Sequence, residues 1–338
     1  MLEIFSTSLS ELPRYFSDAN KRIFYLYLLS AVALALPVYF AATKQRTTLG
    51  FFKFLFPKSV WLAKSAKQDY ALWVVNKLIK ALMFGPIVLT MAPIAIALSD
   101  ALEWLFGRTE PLALAKWQVI TIFTFLLFII DDLTRFLLHY ALHKIPFLWE
   151  FHKVHHSAKV LTPFTIYRSH PVESYLYACR MAIVQGTAVG IGYYLFADAI
   201  SMFDVLGANV FVFMFNVFGA NLRHSHIWLS WGDKLEGVFI SPAQHQIHHS
   251  DNPKHFDTNL GSALAIWDRM TGTLIKASEV GKISIGVGQY DCGHDSLFAI
   301  YSKPFLESAK SLKLSAKKGI NKIVPNKDKV TNDKKPSI

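Results

Sequence analysis

The chain has 338 residues, 52% of them apolar and only 17% charged, and its 27 Phe, 13 Tyr and 8 Trp exclude a disordered or low-complexity protein. Two cysteines, Cys179 and Cys292, exclude a disulfide framework, a cysteine-ligated zinc site and an iron–sulfur cluster. The net charge of +11 divides unevenly: residues 301–338 carry ten Lys against Glu307, Asp328 and Asp333, which is +7 and leaves +4 for the first 300, so a nucleic-acid partner is not expected.

A membrane-spanning helix needs about 20 mostly apolar residues. Ile23–Ala42 supplies an uncharged run flanked by Lys21, Arg22, Lys44 and Arg46, too long for a signal peptide and read as a retained first span. Ala81–Leu98 is uncharged and carries Pro86 and Pro93, which membrane helices tolerate. Trp117–Ile130 is shorter and runs into Asp131 and Asp132, and Met181–Ala197 and Val205–Leu222 read as a helical hairpin. The expected fold is therefore all-α, a multi-pass membrane bundle of about five spans. Lys44, Arg46, Lys53, Lys58, Lys64, Lys67, Lys77 and Lys80 make the first inter-span loop basic, which places it in the cytoplasm. Counting spans then puts residues 136–175 and 223–338, basic tail included, on the same face. The tail reads as solvated and disordered.

The thirteen histidines are concentrated. His139 and His143 stand at i, i+4; His152, His155 and His156 at i, i+3, i+4; and His245, His248 and His249 repeat that triple. On a helix those offsets share one face, so each cluster aims its imidazoles at one region. Neutral imidazole is the commonest side-chain ligand for zinc, copper, iron and nickel, and eight clustered histidines exceed what one four-coordinate ion takes, so two metal ions are expected. A zinc peptidase would carry HExxH with Glu as base, and no cluster contains an internal Glu, although Asp132 or Glu173 could substitute. The two classes left open are an iron-dependent lipid oxygenase and a zinc-dependent membrane hydrolase or metal-handling protein.

The segments 131–157 (DDLTRFLLHYALHKIPFLWEFHKVHHS), 168–174 (RSHPVES) and 223–274 resemble the fatty acid hydroxylase / sterol desaturase superfamily, its bacterial sterol-desaturase-like branch above all, with some similarity to the alkylglycerol monooxygenases. The resemblance covers about residues 125–275. It implies a cytoplasmic histidine-rich helical cap over membrane helices, two Fe ions, and O2-dependent hydroxylation or desaturation of a lipid. The ligands it implies are His139, His143, His152, His155, His156, His245, His248 and His249, with His224 as a ninth and His226 as a possible substitute. Asp132 is expected to accept a hydrogen bond from a ligating histidine or to face headgroups as a helix-end residue. Asn259 and Asp268 are read as possible supports of the ligands, His170 as a support paired with Glu173 or as a turn residue, and Gly261, Trp267 and Gly272 as structural. His255 and His294 fall outside the matched spacing.

The implied division is 1–125 for the first spans and basic loop, 126–275 for the catalytic domain and 276–338 for a C-terminal segment. No GxGxxG, CxxC or haem-attachment motif is present, so electrons are expected from a separate reductase, ferredoxin or cytochrome. The similarity to alkylglycerol monooxygenases adds a reduced pterin as a second donor. Zinc in the purified protein is compatible with these ligands. The C-terminal Pro-Ser-Ile lacks a retrieval signal, and with the bacterial look of the motifs the expected location is a bacterial inner membrane.

Overall fold

The computed structural model describes residues 6–7, 9–44, 46–81, 90–108, 110–197, 200–288 and 293–323. Part of the expected second span, including Pro86, lies outside them, as do Asp198, Cys292 and the end of the tail. The described chain is mostly helical, with loops between the helices and one two-stranded ribbon, Asp204–Val205 against Ala208–Asn209.

Helix α1 (Tyr25–Ala42) is two-faced: Tyr27, Ala31, Ala35 and Tyr39 are buried, while Leu29, Val32, Leu36 and Phe40 are exposed. Among the described helices it alone is long and apolar enough to cross a membrane. Its buried face packs with Leu55 of α2 (Thr48–Leu55) and with Leu222 and Ile227. After a single turn, α3 (Lys58–Trp61), comes α4 (Lys64–Ile79). The basic stretch expected as a loop is thus largely helical, and α4 carries Asp69 into an ion pair with Arg168 at 3.0 Å.

Helix α5 (Met91–Phe106) lies along α8 (Pro171–Phe196). A Cβ at Gly186 would come within 2.9 Å of the Met91 carbonyl, and one at Gly190 within 2.7 Å of the Ala95 carbonyl. This small-xxx-small spacing lets the two backbones touch.

The expected third span is the first half of α6 (Lys116–Lys144), a 29-residue helix that continues through Asp131 and Asp132 to the first two histidines. Asp131 is tolerated there because Arg135 and Arg180 hold it at 2.7 and 2.9 Å. Helix α7 (Pro146–His156) follows directly.

Two expectations are corrected. Val205–Leu222 is not a spanning helix: Gly207 and Gly219 take positive φ, and between them α9 (Val210–Val217) has eight residues. That is about 12 Å, against the roughly 30 Å of a bilayer core. The start of the basic tail is not disordered either, because α13 (Leu297–Ile323) packs Ile300 against Leu72 and Val154, and Phe305 against Phe151.

Candidate metal centre

Proline 146 decides how the first two histidine clusters meet. The residue before a proline is pushed out of the helical region, and Ile145 takes φ −95° and ψ 112°, which ends α6. Pro146 then starts α7, and the turn folds α7 back so that the His139–His152 and His143–His156 ring centroids are both 4.9 Å apart. After the single turn α10 (Asp233–Glu236), the third cluster sits on α11 (Pro242–His248), a helix begun by a capping box: Ser241 Oγ accepts from the Gln244 amide, and Gln244 Oε1 accepts from the Ser241 amide. Gln246 donates to the Leu222 and Ile227 carbonyls at 2.9 and 2.8 Å, and so ties the segment carrying His224 to α11.

Nine imidazoles gather in two groups, each with ring nitrogens within 4.8 Å of one another: His139, His143, His152, His156 and His248, then His155, His224, His245 and His249. The groups adjoin, with His156 stacked on His249 at 4.6 Å and His248 5.3 Å from His249.

The outward nitrogens are anchored. His139 Nδ1 donates to the Leu260 carbonyl at 2.6 Å, His248 Nδ1 to the Thr258 carbonyl at 2.8 Å and His155 Nδ1 to the Arg168 carbonyl at 3.2 Å. His152 Nδ1 donates to Glu173 at 3.0 Å and His143 Nδ1 to Asp257 at 3.3 Å. A carbonyl or carboxylate only accepts, so in these five rings the proton sits on Nδ1 and the Nε2 lone pair faces inward. His245 differs, since its Nδ1 receives a hydrogen bond from Arg223 at 2.9 Å.

Inside, His143 Nε2, His248 Nε2 and both nitrogens of His249 are buried without a hydrogen-bond partner. An unsatisfied buried polar group costs about 1–3 kcal/mol, so four in one pocket call for a ligand. Burial also drives the imidazole pKa of His139, His152 and His155 down to about 3, and those of the other six well below the ordinary value. All nine are therefore neutral near pH 7, the protonation state that binds a metal. Donor type, number and grouping fit two ions, held by five and four imidazoles.

The other singled-out residues fall differently. His226 is apart from both groups and donates to the Phe54 carbonyl at 2.7 Å, so His224 is the one the fold brings in. Asp132 corrects the expected contact with a histidine. It accepts instead from the Ala263 and Leu264 amides at 2.8 and 3.1 Å and from Trp267 Nε1 at 2.9 Å, because α6 packs Phe128 against Ala263 and Leu264. Asp268, on α12 (Ile266–Thr271), accepts from the Leu260 and Gly261 amides. A Cβ at Gly261 would meet the Leu264 carbonyl at 2.5 Å, which only glycine avoids. Asn259, at φ 51°, accepts from the Ile275 amide and donates to the Gln244 carbonyl, touching no histidine. His170 caps α8, accepting from the Val172 amide, with its Nε2 donating to the Tyr301 carbonyl; Glu173 belongs to His152.

Asp257 and Arg223 were missed by sequence reasoning. The only signal for Asp257 is that Asp and Asn, the types at 257 and 259, tolerate the left-handed φ of 58° and 51° seen there.

Two cavities reach the centre. One of about 560 Å³ is bordered by His143, His156, His248, Trp149, Lys153 and Lys303. The other, about 280 Å³, is lined by His139 and His152 of the first group and His155, His224 and His245 of the second.

Fold and site together define a helical protein with a buried polyhistidine pocket whose two imidazole groups could hold metal ions. Residues 124–273 match the fatty acid hydroxylase family model. It is similar to the alkylglycerol monooxygenase of Danio rerio (29% identical, covering 46% of this chain and 31% of that protein). It is also similar to ornithine lipid hydroxylase OlsE of Rhizobium tropici (27%, covering 47% and 44%) and to lathosterol oxidase of Homo sapiens (24%, covering 46% and 45%). The chain thus spans less than half the length of these curated relatives. No solved structure matches it.

Proposed function

We propose that this chain is a membrane-bound di-iron oxygenase that hydroxylates or desaturates a C–H bond of a lipid. The observation that carries the reading is the pair of adjoining imidazole groups whose inward nitrogens on His143, His248 and His249 have no other partner. His139, His143, His152, His156 and His248 would hold one ion, and His155, His224, His245 and His249 the other, within a catalytic domain of about 126–275. When bound, the irons supply reductive activation of O2 and removal of hydrogen from an unactivated carbon. Hydroxylation consumes one O2, two electrons and two protons and yields the alcohol and water.

The chain's own residues hold and orient. Glu173 and Asp257 and the carbonyls of Leu260, Thr258 and Arg168 fix which ring nitrogen carries the proton, so each lone pair points inward before an ion arrives. Burial of the rings keeps bulk water from the reacting carbon. Relatives named monooxygenase, hydroxylase and oxidase support a lipid oxidoreductase. The electrons come from a separate reductase, ferredoxin or cytochrome, or from a reduced pterin. The histidine face and the C-terminal helix lie on the cytoplasmic side of a bacterial inner membrane.

The test is iron and zinc content per chain in detergent-purified protein, followed by anaerobic ferrous loading and O2 uptake with a lipid extract. About two irons per chain and lipid-dependent uptake are expected. Stoichiometric zinc, with no O2 uptake after iron loading, would overturn the oxygenase in favour of a zinc hydrolase.

A further inference from the structure

The cavity that both histidine groups line is strongly cationic. Arg22, Lys80, Arg135 and Arg223 border it, and Glu173 is the one carboxylate among its lining residues. Arg135 is neutralised by Asp131 at 2.7 Å. The other three cations have no ion-pairing carboxylate among the described residues. Arg22 donates to the Asn216 side-chain oxygen, and Arg223 to the Ser262 and Gly261 carbonyls and to His245. Arg223, nine-tenths buried and more, keeps its Nε without a partner. Glu173 is turned through Oε1 to His152 and cannot serve them all.

Arg223 is buried and Arg22 half-buried, while Lys80 stands exposed at the cavity's edge. A cation held out of water needs negative charge nearby, and guanidinium groups present a fork that matches a carboxylate or phosphate. An apolar cavity of about 170 Å³ draws its lining from the next residues of the same segments, Ile23 beside Arg22 and Asn221–Leu222 beside Arg223, with Leu28, Ala31 and Leu55. An amphiphile with an anionic end suits this succession of walls.

We propose that the cavity between the histidine groups is the head-group site for a lipid bearing an oxyanion, a carboxylate or phosphate, held by Arg22, Lys80 and Arg223. This deepens the oxygenase reading and rests on it. Because the cations and the imidazoles share one cavity, the carbon oxidised lies close to the polar end of the lipid, not far down its chain.

The test is equilibrium binding of radiolabelled probes to the full chain in dodecyl maltoside. The probes are hexadecyl phosphate, palmitate, hexadecanol and inorganic phosphate. Both anionic amphiphiles are expected to bind about tenfold or more tightly than hexadecanol, with inorganic phosphate at equal concentration failing to displace them. Lys80→Met and Arg22→Gln are each expected to reduce that preference by about tenfold with metal content per chain unchanged. Lys80→Met decides if Arg22→Gln fails to fold.

Equal binding of hexadecanol overturns the inference, and so does a preference that survives Lys80→Met and Arg22→Gln. Displacement by inorganic phosphate overturns the lipid in favour of the free anion. Iron content and O2 uptake, read on the same preparations, separate the two readings. A chain that prefers the anionic amphiphiles but takes up no iron keeps the anion site and overturns the oxygenase.

Discussion

At the residue scale, the centre depends on atoms that would never touch a metal. Burial drives the Glu173 carboxyl up to about 7, opposed by His155 and Lys80, so its Oε1 fixes the proton on His152 Nδ1 in the ionised form that prevails above that pH. Removing such a partner typically weakens metal retention by about 10–100-fold. Glu173→Leu is therefore expected to lose iron to a chelator in that range, and Glu173→Gln, which keeps an acceptor oxygen, by less. Iron per chain after dialysis reads both. His226→Ala is expected to leave metal content unchanged and His224→Ala to lower it, because only His224 approaches His155 and His245, at 3.3 and 3.1 Å. The imidazoles themselves were legible because ligands of one helix must repeat at i, i+3 and i+4. Their anchors were not. The Leu260 and Thr258 carbonyls have no side-chain signature, and Asp257 lies 114 residues from His143 along the chain.

At the element scale, α4, α7 and the segment before α8 are locked by one buried ion pair. Arg168 donates to Asp69 at 3.0 Å, to the Val154 carbonyl at 3.0 Å and to Ser157, while its own carbonyl anchors His155. Breaking a buried pair strands the remaining charge, at about 3–5 kcal/mol. Arg168→Met is expected to lower the thermal midpoint in detergent sharply. Arg168→Met combined with Asp69→Leu should recover part of the loss, because no charge is then left stranded. Equal midpoints for single and double variants would show that the hydrogen bonds, and not the charges, do the locking. In this region α7 was visible from its histidine spacing and α8 in part from its apolar run, whereas α4 fell in a stretch expected as a loop. The fate of Val205–Leu222 was not, because an uncharged run reads as a span until the positive φ of Gly207 and Gly219 is known. Asp132 went the same way: its helical offset from His139 was right, but its partners come from a segment more than 130 residues on.

At the scale of the whole molecule, the distribution of exposed apolar side chains separates a lipid-facing protein from a water-facing one. On α1, Leu29, Val32, Leu36 and Phe40 follow one another at helical spacing opposite the buried Tyr27, Ala31, Ala35 and Tyr39, and Leu29 is 61% exposed. Ile122, Phe125 and Leu126 on α6 and Met181, Ile183 and Ile191 on α8 continue the pattern. In water, replacing an exposed leucine by lysine changes stability by no more than about 0.5 kcal/mol. At the centre of a spanning helix a lysine costs about 2.5–3.5 kcal/mol. Leu36→Lys makes the two environments distinguishable, since Leu36 is exposed and lies well inside the helix. Expressed in cells and fractionated with a carbonate wash, the parent chain should stay in the membrane pellet. Leu36→Lys should shift a substantial share to the soluble or degraded fraction, while Lys58→Glu, at the start of the single-turn α3, should not. If Leu36→Lys is retained as fully as the parent, α1 does not face lipid, and the membrane placement of the site falls with it.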